Sequence, residues 1–166
     1  YNEWQKLLTN IPDYRDQDRF LRQYYNTFKV DDSIKIEGVP KATKSTLIEI
    51  YEQLIKKDAK KVFNDLLSKS EIYSMFIDPA DIEDKYNFKR ALIELSRVQA
   101  APAYSLLLFI FSMDSKSFKT EATRVEIVEF LIKYFVRRNV TDFPNTRDLD
   151  AIMIDAIEKL NEKIIK

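Results

Sequence analysis

The sequence predicts an all-α fold, about seven helices packed compactly around a central apolar one. Segment after segment repeats apolar residues at steps of three and four, the helical period, and none reads as a convincing strand. The run 104–111, Tyr-Ser-Leu-Leu-Leu-Phe-Ile-Phe, has no polar stripe, so its helix belongs in the middle with others around it. With 45% apolar and 13% aromatic residues in 166, a single domain spanning 1–166 buries roughly 70% of its unfolded surface.

The elements follow in order. An opening helix contains Trp4. Phe20, Leu21, Tyr24, Tyr25 and Phe28, interleaved with Arg19, Arg22, Gln23 and Lys29, predict an amphipathic helix over 16–29. Residues 30–43 hold Asp31-Asp32-Ser33 and Gly38-Val39-Pro40 and read as a loop. Leu47, Tyr51, Leu54 and Ile55 restart the period. After the charged stretch 56–61 it resumes as Val62, Phe63, Leu66, Leu67 and Tyr73. Unbroken, that helix is long for a globular protein, so two helices meeting near Asp58 are expected.

Asp78-Pro79-Ala80-Asp81 predicts a helix start, with Asp78 as cap and Pro79 in the first turn, and the helix runs to about Gln99. Ala101-Pro102 breaks it, because the residue before a proline is pushed out of helical geometry. The apolar helix 103–112 follows, then a polar loop over 113–120. A helix over 121–138 buries Val125, Val128, Leu131, Ile132 and Phe135. Asn145 or Thr146 caps a last helix striped by Leu149, Ile152, Met153, Ala156, Ile157, Leu160 and Ile164. No repeat of solenoid length stands out.

Composition excludes several chemistries. Without Cys or His there is no disulfide framework, thiol nucleophile, zinc finger or Ser-His-Asp machinery. One glycine leaves no glycine-rich phosphate loop, and no cofactor is predicted. The 27 basic and 27 acidic residues cancel, removing the bulk electrostatic argument for nucleic acid. No secretory signal pattern is present, which predicts an intracellular protein. The run 104–111 falls well short of the ~20 residues that cross a bilayer, so no membrane partner is expected. The chain begins Tyr1-Asn2-Glu3-Trp4 without Met, which suggests a piece of a longer protein.

Asp78, Asp81, Glu83 and Asp84 resemble a hard-cation cluster, but acids at a helix start are explained more simply by capping and the helix dipole. Asp155, Glu158-Lys159 and Glu162-Lys163 faintly resemble a nuclease's acids and lysine, yet their intervals also make solvated ion pairs along a helix. Over 116–147, seven basic residues (Lys116, Lys119, Arg124, Lys133, Arg137, Arg138, Arg147) face four acids. Arg124, Arg137 and Arg138 are the candidate contacts, to nucleic acid or to a neighbouring domain, with helix capping as the competing role of the paired arginines. Tyr24, Tyr25, Phe28, Tyr104, Phe109 and Phe111 can stack on bases, but at helical spacing they belong in the core.

Taken in order, the features form a series. Trp4, Phe20-Leu21-Arg22-Gln23-Tyr24-Tyr25, Tyr51, Phe63-Asn64-Asp65-Leu66-Leu67 and Ile72-Tyr73 lead to Leu92-Ile93-Glu94-Leu95 and Pro102 with Leu106-Leu107-Leu108. Tyr134-Phe135-Val136-Arg137-Arg138-Asn139-Val140 closes it. Over nearly its whole length the chain resembles the central helical region of the GmrSD-type family, bacterial anti-phage proteins related to type IV, modification-dependent restriction enzymes. In that family an amino-terminal ParB-like domain carries an Asp-Gly-Gln-Gln-Arg motif linked to nucleotide hydrolysis, and a carboxy-terminal domain often carries a His-Asn-His nuclease motif. Neither motif occurs here.

The resemblance implies a non-catalytic scaffold in the bacterial cytoplasm, coupling flanking domains of the same polypeptide, with DNA reached through the full-length protein. Two other readings stand beside it. One is a free-standing helical module that binds a partner protein through an apolar groove. The other is a nucleic-acid binder using Arg124, Arg137 and Arg138.

Overall fold

The computed structural model describes residues 2–113 and 120–165. Among these the chain is all-helical, with seven α-helices, two short 3₁₀ turns and no strand. The helices are α1 (Asn2–Asn10), α2 (Tyr14–Phe28), α3 (Leu47–Ile77), α4 (Phe88–Ser96), α5 (Tyr104–Ser112), α6 (Glu121–Thr141) and α7 (Thr146–Ile165). Most of the loop expected over 113–120, with Lys116 and Lys119 of the basic count, lies outside the described residues, as do Tyr1 and Lys166.

The apolar helix is central, as its uniform composition requires. Every residue from Tyr104 to Phe111 is buried, and α2, α3 and α7 pack around α5. Aromatic side chains fill the space between them. Tyr73 lies 5.0 Å from Phe20 and edge-on to Tyr104, while Phe111 takes both Phe76 and Phe88 edge-on at 5.4 Å. The aromatics weighed as base-stacking residues are therefore core or packed against it.

The buried polar residues Gln23, Thr27, Ser70 and Ser105 are paired, as burial demands, whereas among the described residues Ser112 Oγ and Arg124 Nε are buried without a partner. Tyr73 donates to Gln23 Oε1 at 2.7 Å, Gln23 Nε2 donates to the Ala101 carbonyl at 2.9 Å, and Thr27 donates to the Ser105 carbonyl at 3.1 Å.

The loop after α2 is not a loose connection. Tyr25, Ile36, Ala42, Ile50 and Leu54 form a second, smaller core beneath it. The Asn26 side chain brackets Ala42, accepting from its N–H at 2.7 Å and donating to its carbonyl at 3.3 Å. Tyr25 donates to the Val39 carbonyl at 2.7 Å. Gly38, at φ +77, supplies the left-handed residue the turn needs.

α3 breaks where the charged stretch suggests. Asp58 leaves helical geometry at φ −163 and ψ 90, and its carboxylate accepts the Lys61 N–H at 2.9 Å, capping the second half as though a new helix began there.

Three sequence expectations need correction. The helix placed at 78–99 does not begin at Asp78, whose side chain caps nothing. Pro79–Asp81 makes a single 3₁₀ turn, and Ile82 then turns extended to bury itself in the core. α4 starts at Phe88, and its cap comes from a distant helix: Glu121 of α6 accepts the Asn87 N–H at 2.5 Å. α4 also ends at Ser96, because Gln99 adopts φ 55 to swing the chain toward Pro102. In α7 Ile157 is buried as expected, but Ile152 is exposed and Ile154 is buried in its place. Smaller shifts have local causes. Asp13 caps α2 two residues earlier than expected, and α6 continues to Thr141 before Asp142 turns left-handed.

Candidate functional site

α1 is amphipathic, with Trp4, Leu7, Leu8 and Ile11 at helical spacing, and it lies along α3. Ile11 and Leu7 are buried, but Trp4 and Leu8 are not fully covered. Trp4 stacks on Phe63 of α3 at 6.0 Å between ring centroids. Between α1, α2 and α3 runs a groove of about 440 Å³, floored by Phe20 and Leu21 and walled by Leu8, Ile55, Val62 and Phe63.

The two polar residues that line it face away in their hydrogen bonding. Gln17 donates to the Ile11 carbonyl at 2.8 Å, and Tyr51 donates to the Leu21 carbonyl at 2.8 Å. The groove therefore offers a largely apolar surface. Its edge is exposed, with Trp4 at 55% and Ile55 at 53%; Ile48, two helical turns before Ile55 and outside the groove lining, is exposed too.

A second cavity, about 630 Å³, is walled by the turn at 31–34 and by α3. Several of its polar groups are occupied internally, while among the described residues the Lys61, Asn64 and Ser68 side chains make no hydrogen bond. Asp31 accepts the Ser33 N–H at 2.8 Å, which holds its carboxyl below the usual carboxylate range. Asp58 caps Lys61, and Lys57 donates to the Lys35 carbonyl at 2.9 Å. Tyr24 donates to Asp65 at 2.5 Å; burial first, then the hydrogen bond to that carboxylate, push the phenol well above its ordinary value. These groups hold the fold's second core and the kink in place.

The three candidate arginines do not converge. Arg124 sits 4.8 Å from the Phe111 ring centroid, a cation–π contact on the core edge. Arg138 closes the α6–α7 turn, donating to the Pro144 carbonyl at 3.1 Å, Asp142 at 3.1 Å and Thr146 at 2.7 Å. Only Arg137 presents an exposed side chain, and at 1.5 Å per residue it lies about 20 Å along the helix from Arg124. Replacing Arg138 with Ala should cost about 1–2 kcal/mol of stability, since it orphans several acceptors at once, whereas Arg137→Ala should stay within about 0.5 kcal/mol. Urea titration of both variants checks this; equal losses would mean the turn does not depend on Arg138.

Several of the acids weighed as a metal or nuclease cluster pair with lysines. Asp84 binds Lys89 at 2.7 Å, Glu83 binds Lys85 at 2.6 Å and Asp155 binds Lys159 at 2.7 Å. Among the described residues no group of three or more potential ligands is placed to hold a metal ion, and no helix is long and apolar enough to cross a membrane. The sequence reading named an apolar groove as one alternative but did not locate it. Its available signal was Ile48 and Ile55, apolar residues seven apart, together with more apolar side chains on α1 than one buried face requires. No protein-family model, curated protein or solved structure matches this chain.

Proposed function

We propose that this chain is a non-catalytic helical scaffold that couples neighbouring protein modules, the role implied by its resemblance to the central region of GmrSD-type restriction proteins. The observation that carries the reading is the apolar groove between α1, α2 and α3, with Trp4 and Ile55 half uncovered at its edge. Fully burying a large apolar side chain is worth about 1.5–3 kcal/mol, so covering both contributes substantially to docking. A groove whose polar residues are turned to its own backbone suits recognition by apolar contact, not chemistry on a substrate.

The test is to read the gene on both sides of this segment, produce the adjoining modules separately and titrate them against residues 1–166. Binding is expected, with Ile55→Asp weakening it at least about tenfold while leaving stability within about 0.5 kcal/mol. Hydrolysis of ATP, GTP or DNA by residues 1–166 alone would refute the scaffold reading. A gene encoding only these residues would replace it with the free-standing interaction module.

A further inference from the structure

We propose that the outward face of α6 pairs with the same face of a second copy of the chain, the two helices running antiparallel about a two-fold axis. This surface is independent of the groove. α6 packs chiefly against α4, and Val128, Leu131 and Phe135 form its buried side. Opposite them, at helical spacing, stand Glu126, Phe130, Lys133, Arg137 and Val140, all exposed. Val136 is exposed on the flank of this row. Phe130 is 65% exposed and Val140 82%, and Phe143, just beyond the helix, continues the apolar surface. A helix with large apolar side chains on its outer side as well as its inner one has a second side to cover, and an exposed apolar patch of this kind marks an interaction surface.

The order of charges identifies what covers it. Three charged side chains of α6 are engaged within the fold: Glu121 at Asn87, Arg124 on the Phe111 ring and Arg138 in the α6–α7 turn. The four others, Glu126, Glu129, Lys133 and Arg137, enter no ion pair among the described residues. They run as two acids and then two bases, so each like-charged pair stands three or four residues apart on one helix and repels. The helix dipole does not account for this order, because its influence fades within the first and last turns and Glu129 and Lys133 lie at mid-helix. Glu129 leans toward α4, where it shares a small cavity with Arg90 and Glu94, which pair with each other at 3.4 Å.

Beside a parallel copy of this helix, acids would meet acids and bases would meet bases. Beside a reversed copy, acids meet bases, so the face is complementary to itself. In the register that sets Glu126 level with Arg137 of the second copy, Phe130 is level with Lys133 of the second copy. The two Phe130 side chains then stand about 4.5 Å apart along the axis, at 1.5 Å per residue, on either side of the two-fold. Symmetry makes every such pair occur twice. The lysine and arginine stems lie between Phe130 and the Val136–Val140 row and add apolar cover to both.

Sedimentation equilibrium from about 1 μM to about 1 mM reads the association, since a single helix pair makes a small interface of the weaker class. The expected result is a concentration-dependent dimer that added salt weakens. Glu126→Arg and Arg137→Glu, both at exposed positions, should each weaken it at least about tenfold with helix content unchanged. Combining the two changes in one chain leaves the net charge as it was and exchanges the signs at both ends of the face, so the dimer should return. Phe130→Asp, beside the two-fold, should abolish it, and Ile55→Asp, in the groove, should leave it untouched.

A chain that stays monomeric at about 1 mM would overturn the inference. So would a dimer indifferent to both single charge changes, or a combined variant that stays as weak as either one. A monomeric chain whose adjoining module is released by Phe130→Asp would give this face to a different protein and overturn it as well. Loss of the dimer through Ile55→Asp would move the self-association to the groove and away from α6.

Discussion

Leu107→Asp is expected to abolish cooperative folding. Leu107 has no exposed surface and stands in a helix whose every residue from Tyr104 to Phe111 is buried, so no rotamer brings a carboxylate to water. A buried ionised carboxylate without a partner costs several kcal/mol, and the lost packing adds to that. Against a typical total stability of about 5–15 kcal/mol the sum is decisive. Leu107→Ala is the graded companion. It creates a cavity without a charge and should lose about 2–5 kcal/mol while still unfolding cooperatively. Thermal melts followed by far-ultraviolet circular dichroism separate the two, and a Leu107→Asp variant melting like the parent would show that α5 is not the centre of the core.

The second large effect is alkaline unfolding. Burial holds the phenols of Tyr24, Tyr51, Tyr73 and Tyr104 above their ordinary value of 10.0, with the Asp65 carboxylate adding to the effect at Tyr24. Below pH 10 these groups are protonated in both folded and unfolded chains, and their contribution is constant. Above pH 10 the unfolded chain releases protons that the folded chain retains, so stability falls as pH rises. While it stays protonated in the folded chain each group contributes at most about 1.4 kcal/mol per pH unit, so four contribute up to about 5 kcal/mol per unit. A protein of ordinary stability should then unfold within about one to three units above pH 10. Helix content and phenolate absorbance, recorded together, should change in one transition, and Tyr104→Phe should make the loss with pH shallower. Native helix content persisting at about pH 13 would show that these phenols are not buried as described.

Helix class, the central place of α5 and the break at Asp58 were legible because each follows from local pattern: a run without a polar stripe, or a charged stretch interrupting a period. What escaped depended on distant partners. Asp78-Pro79 has the composition of a helix start, yet Ile82 is drawn into the core and the cap of α4 is supplied by Glu121, 34 residues downstream of Asn87. Nothing within residues 78–88 announces that. Tyr25 read as part of the single aromatic face of α2, but it turns to a second core whose other members come from residues 36–54. The paired arginines were visible as a motif, while their division of labour depends on where α7 returns: Arg138 locks the turn and Arg137 faces outward. The groove was the least legible part, because an exposed Ile55 differs from a buried Leu54 only in what lies opposite.

The smaller core under residues 36–42 bears on how the molecule comes apart. Its members, Tyr25, Ile36, Ala42, Ile50 and Leu54, join the loop to the first half of α3, while the second half of α3, beyond Asp58, packs its buried face into the main core. The break at Asp58 therefore marks a seam between two units of unequal strength, and thermal fluctuations should release the weaker corner before the rest. Tyr51 and Ile55, which line the groove, belong to that corner. Filling the groove would then act as a latch on the least stable part of the protein, turning occupancy at one surface into slower opening of the whole 36–57 segment.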